Sequence, residues 1–512
     1  MRVSHALPLG TGNAVRSGTR GVDASFALSV ATVIAVLCLP AMLNGLPFFY
    51  IDSATYLAQG QEAVRAFAPW LEAAGAERMP TAADAPPVVV GEGVAAAEPP
   101  VVVAGRSIYY GVLAYLAVAH TNGVLIVLLQ AAAVGWPLTL LCRACGMTGG
   151  ASAMLAGVLA FATPAGLFVG LVTPDVWLAA MGLAVAALLA SPGAGHATRA
   201  GLGAIVAFAA SAHTSHLLVL IVLGAALIAC ATRRWGARPP GFAAAGRWMV
   251  FGVVVGVAGA SLFGAVVEHR YGAPPISRPH LTARLTDSGP GVEAARAMCA
   301  SGGTGQDMAV CAVTDRLGVT WTQFLFDQDP ETGVFGPATA AAKRQLSAED
   351  KRFALATLRY APLRTVWTLS RDAGVQLFTV EAKRVPITAR SPSGRLALFP
   401  PALAARIEAG RLHHHRAAFA AMDGVHRALL LLSAASLAVA CARARRARRA
   451  LTPAGTAAVV LVLVVVINAV VCGALASPYG RFGARAVWLV VVAAALVVAP
   501  RLLATRSKET RP

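Results

Sequence analysis

The sequence predicts an all-α polytopic membrane protein with about ten transmembrane helices and two substantial loops on the outer face. Of its 512 residues, 57% are hydrophobic and only 13% are charged, and the mean hydropathy is +0.65. Soluble proteins usually carry about 25% charged residues. Several apolar runs also reach the roughly 20 residues that a helix needs to cross a bilayer.

The first apolar run, from Ser25 to Leu43, is too long for the core of a signal peptide, and no A-x-A-like cleavage site follows it. It is therefore predicted to be a retained first helix. The segment from Ile108 to Ala119 is apolar but short, which favours an interfacial or re-entrant helix over an eleventh span. The ten predicted spans are residues 25–44, 122–142, 151–171, 175–191, 200–213, 214–232, 248–267, 427–442, 455–476 and 486–503.

Positive charge sets the predicted orientation. If both termini are cytoplasmic, then Arg143, Arg199 and the arginine-rich run from Arg443 to Arg449 all lie on the cytoplasmic side. The positive-inside rule requires this arrangement. The net charge of +19 could also indicate nucleic-acid binding, but the sequence has no basic and aromatic module of that kind. The charge is therefore assigned to cytoplasmic loops, and nucleic acid is not an expected partner.

This topology divides the chain into three parts, with outer loops at 46–121 and 268–426. The second of these loops is long enough to fold as a small extracytoplasmic domain. It contains Cys299 and Cys311, and two cysteines on an oxidising face suggest a disulfide, with two free thiols as the alternative. The predicted parts are a transmembrane module at 1–267 with an outer loop at 46–121, an extracytoplasmic domain at 268–426, and C-terminal helices with a basic cytoplasmic tail at 427–512.

Two carboxylates lie at the predicted outer boundary of the membrane. Asp52 follows the first span, and Asp175 follows Pro174 at the turn between two spans. Ionisable groups close to hydrocarbon are costly, so a pair of them indicates a functional site. The alternative for Asp175 is an acid that stabilises a helix N-terminus, and for Asp52 a polar loop residue.

Basic and aromatic residues are predicted on the same face. Arg481 and Arg485 could bind phosphate through paired N–H donors, or anchor the last span at the interface. The two histidines at the turn after the fifth span are either phosphate contacts or polar residues of a helix turn. Aromatic rings near Asp52 suit the membrane interface. The candidate substrate-binding residues are Tyr50, Tyr56, His213, His216, Tyr479, Arg481 and Arg485.

Several stretches resemble the polytopic GT-C glycosyltransferases, in the branch of protein mannosyltransferases and lipid A aminoarabinose transferases. "YIDSATYLAQG" resembles their first-loop acid motif, and "GRSIYYGVLAYL" resembles the segment that follows it. "TPDVWLAAMGLAVAALLAS" is similar to their second outer acid with its apolar helix, and "RAGLGAIVAFAASAHTSHLLVLIVLGAALI" to a glycine-led helix pair. The likeness covers roughly residues 25–235. "SPYGRFGARAVWLV" is loosely similar to an outer arginine motif of related proteins.

The chain also departs from that pattern. Asp52 is followed by Ser53 where many members carry paired acids, and His213 and His216 occupy a turn where many carry lysine.

The resemblance implies an enzyme that moves a sugar from a polyprenyl-phosphate donor to a glycan, lipid or protein acceptor at the outer face of a bacterial inner membrane. Asp52 would be the base, and Asp175 a second acid that orients the acceptor or tunes Asp52. A divalent metal bridging the acids is permitted but not required. His413 to His415 are consecutive and point in different directions on a helix, so no metal site is predicted.

Two other classes remain open on the sequence. A transporter or flippase of a lipid-linked substrate would need ionisable residues at mid-membrane depth and broken helices in matching halves. A non-catalytic membrane assembly protein would use the 268–426 segment to bind a partner.

Overall fold

The computed structural model describes residues 16–73, 77–80, 102–104, 106–233, 239, 241–300, 305–446 and 452–509. Within them the protein is mainly helical with almost no strand, as the sequence predicts. The helices are α1 (Arg16–Asn44), α2 (Ile51–Phe67), α3 (Ile108–Thr121), α4 (Val124–Ala144), α5 (Gly149–Ala162), α6 (Ala165–Gly170), α7 (Asp175–Ala190), α8 (His196–Ala212), α9 (Thr214–Arg233), α10 (Phe242–Tyr271), α11 (His280–Ser288), α12 (Gly291–Cys299), α13 (Trp321–Phe326), α14 (Ala340–Tyr360), α15 (Pro362–Phe378), α16 (Pro401–Glu408), α17 (Arg416–Arg446), α18 (Pro453–Leu475), α19 (Gly480–Val487) and α20 (Leu489–Glu509).

Elements other than α-helices are few in the described ranges. Strands β1 (Val103–Ala104) and β2 (Ile276–Ser277) form a parallel pair. Short 3-10 helices cover Pro69–Leu71, Ala309–Arg316, Ser393–Leu398 and Arg411–His414.

Seven helices in the described part of the chain are long and apolar enough to cross a membrane. The protein is therefore a polytopic membrane protein, although this number falls short of the ten spans predicted. The seven candidate spans are Ala24–Asn44, Val124–Ala144, Thr214–Ala231, Phe242–Tyr271, Arg416–Arg446, Pro453–Leu475 and Gly480–Ala499.

Three predicted spans are not among these seven. The run at 151–171 is divided into α5 and α6, because α5 ends at Ala162 and Pro164 caps a new helix. Helix α7 has 16 residues, all of them buried. Helix α8, in place of the span at 200–213, has 17 residues. A helix buried inside a bundle is apolar on every side, so its sequence resembles that of a lipid-facing span.

The segment after α10 has its own hydrophobic core. Phe324, Phe335 and Phe353 are among its buried side chains, and a disulfide joins Cys299 to Cys311 with their Cα atoms 5.4 Å apart. We call this unit the outer domain, after the side of the membrane on which the sequence predicts it; its core extends from Ile276 to Phe353. Strand pairing attaches it to the loop that precedes α3, since Val103 pairs with Ile276 and Ala104 with Ser277.

Candidate functional site

The two predicted acids are brought together by a backbone bridge. The N–H of Phe48 donates to the carbonyl of Gly170 (2.8 Å), and the N–H of Val172 donates to the carbonyl of Phe48 (2.9 Å). The chain then enters α2 on one side of this bridge and α7 on the other. Asp52 and Asp175 each lie in the first turn of their helix, so both carboxylates point into the same region.

Arg481 connects the two carboxylates. Its Nη1 donates to Oδ2 of Asp52 at 2.5 Å, and its Nη2 donates to Oδ2 of Asp175 at 2.6 Å. Its Nε also reaches Oδ2 of Asp175, at 3.0 Å. The residue lies in the first turn of α19, which begins at Gly480. The prediction placed Arg481 in a turn outside the last span, but the helix starts earlier and carries it into the bundle.

Two further arginines complete the cluster. Nη2 of Arg106 donates to Oδ1 of Asp52 at 2.5 Å, and Nη1 of Arg485 approaches Oδ1 of Asp175 at 3.3 Å. Among the described residues, three guanidinium groups therefore share two carboxylates. We call these five residues the Asp–Arg cluster. Its formal charge is +1, and a net positive charge in a partly buried site favours binding of an anionic ligand.

Close packing of α2 on α3 positions Arg106. A Cβ atom added to Gly60 would lie 2.1 Å from the carbonyl oxygen of Gly111, so only glycine allows the two backbones to approach this closely. Arg106 lies two residues before Ile108, the first residue of α3, and its guanidinium lies 5.7 Å from the ring centre of Tyr56. The ring of Tyr50 lies 4.2 Å from the guanidinium of Arg481 on the other side. Tyr50 and Tyr56, two of the three predicted tyrosines, thus support arginines through cation–π contacts.

The cluster has a buried side and an open side. The Asp175 and Arg485 side chains are 2% and 1% exposed, whereas those of Asp52 and Arg106 are 16% and 17% exposed. Burial raises the pKa of Asp52, but Arg106 and Arg481 outweigh that effect and lower the pKa below its ordinary value. Asp52 is therefore ionised, and it lies on the side of the cluster that is open to solvent.

Polar groups within the bundle hold the buried side. Arg485 donates through Nη2 to Oδ1 of Asn468 at 2.8 Å and to Oγ of Ser215 at 3.0 Å. Thr173 donates its hydroxyl hydrogen to Oδ2 of Asp175 at 2.6 Å. These partners leave Asp175 and Arg485 little freedom to turn, so we assign them a positioning role.

The predicted histidines lie at different distances from the cluster. His213 contacts it through Ser215, whose Oγ is 2.9 Å from Nδ1 of His213. His216 is fully buried, with Nδ1 3.1 Å from the carbonyl of Ala209, and its Nε2 has no hydrogen-bond partner. Neither histidine contacts an Asp of the cluster. Tyr479 is 41% exposed and its backbone is held by Gln376 (2.8 Å), while its side chain interacts with that of Tyr50.

Sequence reasoning missed four contributors to the cluster and its support: Arg106, Thr173, Ser215 and Asn468. Asn468 carried a usable signal, because it interrupts the apolar run "VLVVVINAVV" of α18, and a polar group inside a span indicates an internal partner. Arg106 lies in "GRSIYY", where it is unexceptional until the fold places it beside Asp52. Ser215 lies between the two predicted histidines.

Comparisons with known proteins give no match. No protein-family model, curated protein or solved structure matches this chain. Assignment of a function therefore rests on the chemistry of the Asp–Arg cluster and its surroundings.

The outer domain brings another arginine close to the cluster. The register of β1 and β2 places Arg106 and Arg278 just beyond paired strand ends. The guanidinium of Arg278 lies 4.9 Å from the ring centre of Phe326, and none of the described carboxylates forms an ion pair with it. Burial, together with the charge of nearby Arg106, lowers the pKa of Arg278 to about 10. Arg278 thus remains a cation at neutral pH and is available to an anionic ligand.

No cluster of three or more histidine, cysteine or acidic side chains suited to a metal occurs in the described residues. The carboxylate oxygens of Asp52 and Asp175 are instead occupied by arginine N–H groups. The cluster as it stands binds guanidinium where a bridging metal would have to bind.

Proposed function

We propose that the protein is a GT-C-type glycosyltransferase, which moves a sugar from a polyprenyl-phosphate donor to a glycan, lipid or protein acceptor at the outer face of the membrane. The observation that carries the proposal is the position of Asp52. Its carboxylate lies between two arginines on the open side of the cluster, just beyond the end of α1. A base and cations for a phosphate leaving group are thereby available within one site.

Asp52 would act as the base. The acceptor must lose a proton as its oxygen or nitrogen attacks the anomeric carbon, and a carboxylate within hydrogen-bond distance can take it. Arg106 and Arg481 lower the basicity of Asp52. The phosphate of the sugar donor would compete with Asp52 for the N–H groups of Arg106 and Arg481. Each N–H group that turns from Asp52 to the phosphate leaves Asp52 a stronger base. Donor binding would thus activate the base.

The arginines would stabilise the leaving group. As the bond between the sugar and phosphate breaks, negative charge increases on the phosphate, and fixed guanidinium groups stabilise that charge. Arg106 and Arg278 are the best placed, since they border the open side and Arg278 has no carboxylate partner among the described residues. Asp175 would hold Arg481 and Arg485 in place and would not contact the acceptor.

Binding of polyprenyl phosphate tests this proposal without knowledge of the donor sugar. The purified protein should bind polyprenyl phosphate more tightly than the corresponding polyprenol, which lacks the anion. Arg278→Gln should weaken binding of the phosphate by about 10- to 150-fold, the value of one charge-assisted hydrogen bond. Titration of each ligand into protein in lipid nanodiscs provides the measurement.

Arg352→Gln is the matched control. Arg352 also belongs to the outer domain, but it is 52% exposed and paired with Asp307. Its replacement should leave binding of polyprenyl phosphate unchanged. Equal affinity of the wild-type protein for the phosphate and the alcohol would contradict the proposal, because recognition would then depend on the lipid chain alone.

A further inference from the structure

Helix α15 has the opposite amphipathicity to a helix on a water-exposed domain. Its buried side chains are polar: Thr365, Thr368, Asp372 and Gln376. Its exposed side chains are largely apolar, and we call them the apolar face of α15. This face comprises Leu363 (85% exposed), Val366 (56%), Trp367 (69%), Val375 (46%) and Phe378 (81%).

Three of the four buried polar residues of α15, namely Thr365, Asp372 and Gln376, form hydrogen bonds within the protein. Asp372 accepts hydrogen bonds from Arg284 and, at 3.1 Å, from the hydroxyl of Ser288. Gln376 accepts from the N–H of Tyr479 at 2.8 Å and donates to its carbonyl at 3.1 Å. Polar groups that face inward and apolar groups that face outward are the arrangement expected of a helix surrounded by lipid.

The neighbours of α15 place it at membrane depth. It packs along α18, the most apolar of the candidate spans, with a mean hydropathy of 3.0. A Cβ atom on Gly473 would lie 2.5 Å from the carbonyl oxygen of Asp372, so the two helices touch at this glycine. Helix α18 itself exposes Val466 and Val470. The apolar face of α15 therefore adjoins a surface that already faces lipid.

The C-terminal end of α15 lies deeper than the end of α18. A Cβ atom on Gly483 would lie 2.1 Å from the carbonyl oxygen of Thr379, which directly follows α15. The adjoining Phe482 accepts a hydrogen bond from Asn468 at 2.7 Å. Asn468 precedes Leu475, the last residue of α18, by about 10 Å along the helix axis.

We propose that α15 is embedded in the outer leaflet of the bilayer, with its apolar face against lipid acyl chains. Residues 268–426 are then not wholly outside the membrane, and α15 anchors the outer domain over the Asp–Arg cluster. Two arginines border the face. Arg364 and Arg371 are 63% and 51% exposed, and their long side chains can reach the headgroups. This inference does not depend on the proposed enzymatic activity.

Site-specific photocrosslinking tests the placement. The full-length protein would carry a benzophenone amino acid at Trp367 or at Phe378, and would be reconstituted in vesicles of phosphatidylethanolamine and phosphatidylglycerol. Ala348 provides the control, since it is exposed on α14 of the outer domain. Irradiation should produce phospholipid adducts at the two α15 positions and none at Ala348, as read by intact-mass analysis.

Other products would overturn the inference. Crosslinks between two copies of the chain at Trp367 and Phe378 would show that the apolar face is a dimer interface. Absence of lipid adducts at both positions would show that it faces water. Lipid adducts at Ala348 equal to those at Trp367 would remove the distinction between α15 and the rest of the domain.

Discussion

Replacement of Asp52 by asparagine should abolish sugar transfer while leaving the protein folded and inserted in the membrane. Asparagine has nearly the same shape as aspartate and can still accept a hydrogen bond from Arg481, but it cannot take a proton. Loss of a general base costs about 100- to 10,000-fold in rate. The side chain of Asp52 is 16% exposed, so its substitution disturbs the interior less than a change at Asp175 would. The measurement is the turnover of a polyprenyl-phosphate sugar by the purified variant in vesicles.

Asp307→Asn is the matched control for that variant. Asp307 is also paired with an arginine, but its side chain is 69% exposed and it lies in the outer domain. Its replacement removes the same charge and should leave turnover unchanged. If Asp52→Asn retained full activity, Asp52 would not be the base, and its two ion pairs would have only a structural role.

Asp175→Ala should produce the largest loss of stability. The carboxylate of Asp175 is 2% exposed and pairs with both Arg481 and Arg485 inside the bundle. Its removal leaves Arg485 buried without a carboxylate, and loss of one partner from a buried pair costs about 3–5 kcal/mol in free energy of unfolding. The expected result is a clear fall in the melting temperature of the purified protein, together with loss of activity.

A double variant distinguishes this explanation from simple loss of packing. In Asp175→Ala with Arg485→Met, the unpaired buried charge is removed together with the carboxylate. Replacement of a whole buried ion pair by apolar residues is often neutral, so the double variant should melt at a higher temperature than Asp175→Ala alone. A lower melting temperature in the double variant would show that Arg485 stabilises the bundle without Asp175.

Much of the fold follows from the apolar runs, while the number of spans does not. Helices α4, α9 and α18 match predicted spans to within a few residues. The composition of α7 predicts a span, and in the structure its 16 residues are packed on all sides by protein. The amino-acid composition of a helix indicates that its surroundings are apolar, but it does not distinguish surrounding lipid from surrounding helices. Only the tertiary structure makes that distinction.

Four of the five residues of the Asp–Arg cluster can be predicted from the sequence, but their pairing cannot. Asp52, Asp175, Arg481 and Arg485 stand out because charged residues are rare beside long apolar runs. Their pairing depends on the bridge between Phe48 and Leu171, which joins segments far apart in the chain. The role of Arg106 depends likewise on the contact between Gly60 and Gly111. Such contacts leave no periodic pattern in the sequence, so no local rule identifies them.

The fate of a doubly labelled donor tests the central claim most directly. Wild-type protein in sealed vesicles would be given a polyprenyl-phosphate sugar with one label in the sugar and another in the lipid. If the cluster transfers sugar, the two labels should separate, with labelled polyprenyl phosphate left in the membrane and labelled sugar on the acceptor. If both labels instead cross the bilayer together on an intact donor, the protein is a transporter of the lipid-linked sugar, and transferase activity is contradicted.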